Sequence, residues 1–265
     1  MDGSAGLNTA NRTSIRPLGI QERVILGLLL ALAAGAWILT IYQSNANSMG
    51  MGLTMGLSAS VFLAVWVVMM AAMMFPSVAP MVMLFSRISR GKREVGQSFV
   101  PTWVFVGSYL AVWAASGLVA FVAATQLQDA AMGNMWLTDN GPRLAGAVFV
   151  AAGLYQLSPL KSVCLAHCRS PLAFLLTSWK EGYLGAVDMG VKHGLFCLGC
   201  CWLLFVILFP LGIMNVAAMA VVAALIFAEK IVPQGLVVAR GLGVALIAYG
   251  LLVAVLPQAL PGTSM

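Results

Sequence analysis

The chain has 265 residues, of which 61% are hydrophobic and 8% are charged, and its formal net charge is +6. A soluble globular domain has about 25% charged residues, and a soluble fold of this composition would have too little polar surface to cover its apolar residues. The composition therefore excludes a soluble domain. The basic residues stand singly between apolar runs, which is typical of topology signals in membrane proteins and argues against a nucleic-acid partner.

Seven apolar stretches are long enough to cross a bilayer core, which takes about 20 helical residues. The predicted spans are Val24–Tyr42, Leu57–Phe85, Pro101–Ala124, Gly141–Pro159, Val187–Phe209, Leu211–Ala228 and Gln234–Leu256. No stretch alternates with a period of two, so the predicted fold class is an all-α, polytopic transmembrane helix bundle. Pro76 and Pro80 predict a kink in the second span, and the segment 210–212 predicts a tight hairpin between the fifth and sixth.

These spans divide the chain into an N-terminal tail (1–23), a transmembrane domain (24–256) and a C-terminal tail (257–265). We expect no cleavable signal peptide, because the first apolar run is too long and no small-residue cleavage site follows it. With the N-terminus in the cytoplasm, 13 of the 14 Lys and Arg residues fall on the inside and only Arg143 falls on the outside. Such asymmetry predicts an N-in, C-out protein of the bacterial inner (plasma) membrane, with the lipid bilayer as its first partner.

One segment is only partly apolar and does not match the pattern of a membrane span. Ser162–Ala186 mixes apolar residues with Arg169, Lys180 and Glu181. We interpret it as an amphipathic helix at the cytoplasmic interface in preference to a re-entrant loop. Asp188 and Lys192, four residues apart at the start of the fifth span, are expected to pair along the helix.

All five cysteines and both histidines lie in two short clusters. The first contains Cys164, His167 and Cys168; the second contains His193, Cys197, Cys200 and Cys201. Residues four apart share a helix face, so each cluster presents a stripe of thiol and imidazole groups at the end of a predicted span. Such ligands converging from two helices favour a soft-metal site for copper as Cu(I), with Zn(II) as the alternative. The competing interpretation is that these cysteines only fill the helix interfaces, because cysteine is also a common small buried residue.

Methionines and one carboxylate are weaker candidates for the same site. Met70 and Met74 share a face of the second span, and Met214 precedes Asn215 at the start of the sixth. Thioethers bind Cu(I), although methionine is also ordinary core filler. Glu229 and Lys230 close the sixth span, where Lys230 is expected to extend to the membrane interface and Glu229 is a candidate ligand or proton carrier.

Three segments and two residue pairs carry a resemblance to a known family. They are Trp66–Pro80 (WVVMMAAMMFPSVAP), Tyr155–Pro171 (YQLSPLKSVCLAHCRSP), Gly194–Trp202 (GLFCLGCCW), and the pairs Met214-Asn215 and Glu229-Lys230. Together they resemble the DUF2182 family of predicted metal-binding integral membrane proteins. The resemblance covers most of the chain from the second span to the sixth. It implies a metal role for the five cysteines, with Met70, Met74, Met214 and Glu229 as additional candidates.

Three functions remain open on these observations. The leading hypothesis is a membrane protein that takes up, delivers or inserts Cu(I), together with a protein that donates or accepts the metal. The second is a membrane thiol oxidoreductase built on the Cys197-x-x-Cys200 pair, although a cytoplasmic site would face a reducing compartment. The third is an accessory subunit of a larger membrane complex. The sequence contains no nucleotide-binding motif or catalytic triad, and so it assigns no enzymatic activity.

Overall fold

The computed structural model describes residues 19–46, 54, 56–94, 96, 100–213 and 215–259. In these ranges the chain is helical and contains no β-strand, which confirms the predicted all-α class. The α-helices are α1 (Ile20–Ala46), α2 (Ala59–Glu94), α3 (Thr102–Met132), α4 (Met135–Asp139), α5 (Gly141–Leu157), α6 (Pro159–Arg169), α7 (Pro171–Ser178), α8 (Gly182–Val206), α9 (Leu208–Leu211), α10 (Val216–Ile231) and α11 (Gly235–Val255). A short 3₁₀ helix, Pro257–Ala259, follows α11.

Within the described residues, five helical segments are long and apolar enough to cross a membrane, or six if the bent pair α5–α6 forms one span. The five are Ile20–Ser44, Ala59–Glu94, Thr102–Met132, Gly182–Leu211 and Gly235–Val255. Helix α10 corresponds to the predicted sixth span but has 16 residues. At 1.5 Å per residue it is about 24 Å long, against a hydrocarbon core of about 30 Å. The several apolar helices support a multi-pass membrane protein, while the count of seven and the N-in, C-out orientation stay predictions.

One Ser-Pro pair precedes, and a second divides, the segment Ser162–Ala186 that was predicted to be one amphipathic helix. Helix α5 ends before Ser158, and α6 begins at Pro159 after a bend of 63°. A second break at Ser170-Pro171 separates α6 from α7, and α8 begins at Gly182. Proline cannot donate a backbone hydrogen bond and disfavours helix geometry in the residue before it. The segment is therefore two short helices and the first turns of α8, rather than the single helix that was expected.

Helix α2 runs without interruption through Pro76 and Pro80. It has 36 residues, which corresponds to about 54 Å. Ser77 Oγ donates a hydrogen bond of 2.9 Å to the carbonyl of Met74 within this proline-containing stretch. The residues around both prolines are buried in the bundle. The helix thus remains one element and presents its methionines to its neighbours at the centre of the fold.

Helices α5 and α11 pack through glycines at matching positions. A Cβ atom on Gly146 would lie 2.7 Å from the carbonyl oxygen of Gly250, and one on Gly153 would lie 2.7 Å from Ile247 Cγ1 and closer still to the carbonyl of Gly243. Small residues allow helix backbones to approach closely where lipid provides no hydrophobic drive for association. The backbones of α5 and α11 are therefore in direct contact at these glycines.

Ion pairs join three helix ends at one end of the bundle. The buried carboxylate of Glu22 in the first turn of α1 accepts hydrogen bonds of 2.7 and 2.8 Å from Arg87 of α2. Lys92 near the end of α2 pairs with Glu181, just before α8, at 2.9 Å. The start of α1, the end of α2 and the start of α8 therefore lie together.

Within α8, Lys192 Nζ lies 2.9 Å from Asp188 Oδ2, which confirms the pair expected along this helix. Asp188 also accepts a contact of 3.0 Å from Lys180. Both lysines are substantially exposed.

Candidate metal centre

Helix α8 places three cysteine thiols in one buried turn. Cys197, Cys200 and Cys201 are at most 1% exposed, and their i, i+3 and i+4 spacing puts them on one side of the helix. Cys200 Sγ lies 3.1 Å from Cys201 Sγ and 3.2 Å from the carbonyl oxygen of Cys197. The three cysteines lie in the interior of the 25-residue helix α8, and not at the end of a helix as their sequence positions predicted.

Helix α6 brings a fourth thiol to this turn. Cys168 Sγ lies 3.8 Å from Cys200 Sγ, across the α6–α8 interface. For comparison, two thiolates bound tetrahedrally to one Zn(II) ion at about 2.3 Å are about 3.8 Å apart. Cys168 is half-buried and Cys200 is buried, so the pair connects the surface of α6 to the interior of the bundle.

A thioether from helix α2 completes the group. Met74 Sδ lies 4.0 Å from Cys197 Sγ, and Met74 is fully buried. We call Cys168, Cys197, Cys200, Cys201 and Met74 the sulfur cluster. It draws its sulfur atoms from α2, α6 and α8, which are far apart in the sequence.

Polar side chains surround Cys197 on the side facing α3 and α10. Lys230 Nζ donates to Cys197 Sγ at 3.0 Å, and the hydroxyl of Tyr109 lies 3.2 Å from the same sulfur. Lys230 Nζ also lies 3.4 Å from Ser77 Oγ and 4.0 Å from Met74 Sδ. The expected extension of Lys230 to the membrane interface is wrong: the residue is 8% exposed, because the last turn of α10 lies inside the bundle.

A buried ion pair lies beside the sulfur cluster. Lys161 Nζ of α6 contacts Glu229 Oε2 at 2.7 Å, and each side chain is 1% exposed. Gln156 of α5 donates to the other carboxylate oxygen, Oε1, at 2.8 Å. Lys161 also donates to the carbonyl of Cys200. Glu229, a candidate ligand from sequence, thus uses both carboxylate oxygens to join α5, α6 and α10.

Arg169, the last residue of α6, also binds the end of α10. Its guanidinium donates to the carbonyls of Val232 and Pro233 at 2.8 and 2.7 Å, and to that of Glu229 at 3.3 Å. These carbonyls belong to the end of α10 and the residues after it. Arg169 and Lys161 therefore hold α6, and with it Cys168, against α10.

The remaining cysteine and the histidines have other neighbours. Cys164 Sγ lies against Gly199, where an added Cβ atom would be 2.9 Å away. His167 stacks on Phe196 with ring centroids 4.2 Å apart, and its Nδ1 lies 2.9 Å from the carbonyl of Val163.

His193 is buried among three aromatic rings, those of Phe105, Tyr109 and Phe174, with centroid distances of 5.3 to 6.0 Å. Its Nδ1 has no hydrogen-bond partner in the part of the chain that the structure describes. Met70 is fully buried on α2, and Met214 lies outside the described residues.

Across the described ranges, no three His, Cys, Asp or Glu side chains already stand in an arrangement that could hold a metal ion. The five cysteines are free thiols. The donor set nevertheless fits a soft metal, since thiolate and thioether ligands favour Cu(I) over hard cations. The Cys168 and Cys200 sulfurs, 3.8 Å apart, are the pair that would hold such an ion.

The chain matches the family model PpoB2, described as a copper chaperone, over residues 63–253. It belongs to this copper chaperone family. Comparison with curated proteins and with solved structures finds no match.

The matched region contains every residue of the sulfur cluster and the Lys161–Glu229 pair. Membership in the copper chaperone family supports the expected copper handling and is consistent with copper as the metal. The DUF2182 resemblance also implied a metal-related membrane family, and that finer assignment stays a prediction.

Sequence reasoning missed Lys161, Lys230 and Tyr109 as neighbours of the sulfurs. The two lysines carried a signal, because a charged residue beside an apolar helix is expensive unless it is paired. Tyr109 carried none, since a tyrosine within an apolar span is common as packing.

Proposed function

We propose that this member of the copper chaperone family is a multi-pass membrane protein that binds Cu(I) as cargo at the sulfur cluster and passes it to another protein. The observation that carries the proposal is the contact between Cys168 of α6 and Cys200 of α8, whose sulfurs are 3.8 Å apart. Cu(I) prefers soft, polarisable ligands, and Met74 adds a thioether beside Cys197. The site would therefore hold Cu(I) with sulfur atoms from three helices.

The position of Cys168 supports transfer rather than permanent storage. Cys168 is half-buried, whereas the three thiols of α8 are buried. In the proposed transfer, thiolate ligands are exchanged in turn, and the exchange begins at the thiol that a partner reaches first. In this scheme Cys168 meets the donor or acceptor protein, and Cys200 holds the ion during the exchange.

The test is copper content after purification in detergent under anaerobic, reducing conditions. The variants are the triple change Cys197→Ser, Cys200→Ser and Cys201→Ser, and the single change Cys164→Ser as matched control, because Cys164 lies against Gly199 instead of the sulfur cluster. We expect about one copper per chain in the native protein and the control, and none in the triple variant. Equal copper in all three samples would contradict the proposal.

The thiol oxidoreductase reading has one observation in its favour, the 3.1 Å separation of the Cys200 and Cys201 sulfurs. Trapping of cellular thiols with an alkylating mass tag separates the two functions. A copper carrier keeps these cysteines reduced during growth, whereas a redox relay accumulates an oxidised pair. Detection of a disulfide that turns over with growth conditions would favour the oxidoreductase.

A further inference from the structure

The buried lysines beside the sulfur cluster differ in how their charge is balanced. Lys161 pairs with Glu229 at 2.7 Å. Among the ion pairs that the described residues form, none includes Lys230. Its amino group instead faces Cys197 Sγ, Ser77 Oγ and Met74 Sδ.

This environment suits an ammonium group. A lysine ammonium has three donors and no acceptor, and the three neighbours of Lys230 Nζ are three acceptors. The residue is 8% exposed in the centre of an apolar helix bundle. A buried cation is costly unless an anion lies nearby, and the nearest group that can supply an anion is the sulfur of Cys197.

We infer that Lys230 is the counter-cation of the bound metal complex and sets its charge at −1, which for Cu(I) means two thiolates. A monovalent ion with two thiolates carries one negative charge, and Lys230 neutralises it. Three thiolates on Cu(I) would leave one buried negative charge without a partner. Cys197 is one of the two, because its sulfur contacts both Lys230 and Met74. The other comes from the Cys168–Cys200 pair, one member of which stays a neutral thiol. Lys230 is thus a positioning residue that acts through Cys197.

The inference rests on the proposed Cu(I) site. It adds two properties of that site: the number of thiolates that bind the ion, and the residue that balances their charge. The first measurement is the Cu(I) dissociation constant of the full chain, obtained in detergent by competition with a bathocuproine chelator. Lys230→Met keeps the length of the side chain and removes the charge, while Lys230→Arg keeps the charge. Lys192→Met is the matched control, because it removes a lysine charge from α8 where Asp188 is the partner.

We expect Lys230→Met to weaken Cu(I) binding at least tenfold, and Lys230→Arg and Lys192→Met to remain within about threefold of the native protein, consistent with the strength of a buried charge interaction. Native-like affinity in Lys230→Met would overturn the inference. If the native protein itself binds no Cu(I), the proposed function fails as well, so the two failures are distinguishable.

A second measurement needs no change at Lys230 and covers the case in which its variants do not fold. X-ray absorption of the copper-loaded Met74→Leu chain counts the copper–sulfur bonds after the thioether has been removed. Two bonds at thiolate distance are expected. Three bonds would overturn the charge count.

Discussion

Glu229 and Lys230 are adjacent in the chain, yet their side chains bind partners on different helices. The Glu229 carboxylate accepts from Lys161 of α6 at 2.7 Å, while Lys230 Nζ donates to Cys197 of α8 at 3.0 Å. The last turn of α10 thereby lies between two helices that carry cysteines. This turn couples the position of Cys168 to that of the three thiols on α8.

Removal of the carboxylate should destabilise the bundle. Glu229→Gln leaves Lys161 buried without a counter-charge, and loss of one partner of a buried pair costs about 3–5 kcal/mol. The unfolding temperature of the detergent-solubilised chain, followed by intrinsic fluorescence, measures the effect. Glu181→Gln is the control, because its pair with Lys92 is more exposed and such pairs contribute less than about 1 kcal/mol. Equal unfolding temperatures for both variants would show that the Lys161–Glu229 pair has no special role.

Single cysteine substitutions should distinguish the roles of Cys164 and Cys168, the two thiols of α6. Cys168→Ser removes the sulfur that contacts Cys200, so we expect its Cu(I) affinity to fall at least tenfold. Cys164→Ser keeps the sulfur cluster intact, and we expect native affinity. Competition with a Cu(I) chelator measures both constants, and a larger loss in Cys164→Ser than in Cys168→Ser would mean that the ligands have been assigned to the wrong thiol.

Copper should protect specific thiols from alkylation. In the metal-free chain, a maleimide reagent is expected to modify the half-buried Cys164 and Cys168 faster than the buried thiols of α8. Loading with Cu(I) should slow modification of Cys168 and leave that of Cys164 unchanged, because only Cys168 belongs to the sulfur cluster. Peptide mass spectrometry of the labelled chain gives the rate at each position. Unchanged labelling of Cys168 after loading would argue against its role as a ligand.

A bulkier residue at the α5–α11 contact should separate these helices. An added Cβ atom at Gly243 would lie 2.9 Å from the carbonyl of Gly153, so Gly243→Val forces the two backbones apart. Overpacking of this kind costs about 1–3 kcal/mol or more, which lowers the unfolding temperature. Gly241→Val is the matched control, since nothing lies within 4 Å of a Cβ atom there, and both variants carry the same propensity penalty. A lower unfolding temperature in Gly241→Val alone would contradict the packing of α5 against α11.

The number of spans decides on which side the chain ends. An odd number with the N-terminus inside places the C-terminus outside, and six spans place it inside. Fusion of alkaline phosphatase to the C-terminus should give an active enzyme, and fusion of a fluorescent protein should give a dark one, if the predicted N-in, C-out orientation holds. With the N-terminus inside, the reverse result would indicate an even number of spans, such as six with α5 and α6 forming one bent span and α10 forming none.

Helix positions followed from the sequence wherever a long apolar run stood between polar segments. The first, second, third and last predicted spans each coincide with one long helix of the structure, because apolar length alone selects a helix in a membrane. The region from Gly141 to Ala186 was harder, since Ser158-Pro159 and Ser170-Pro171 break it into pieces too short for a hydropathy pattern. There both Ser-Pro pairs were visible in the sequence, but the bend of 63° between α5 and α6 was not.

The sequence by itself determined the helical class, the concentration of thiols in two segments and their suitability for a soft metal, because these depend on residue type and local spacing. Only the tertiary structure decided which sulfurs meet: Cys168, the α8 thiols and Met74 come together, while Cys164 and His167 pack elsewhere. It also assigned Glu229 to Lys161 and Lys230 to Cys197. The physical reason is that neighbours in a helix bundle are chosen by packing between distant segments, and local sequence does not encode the rotation of one helix against another.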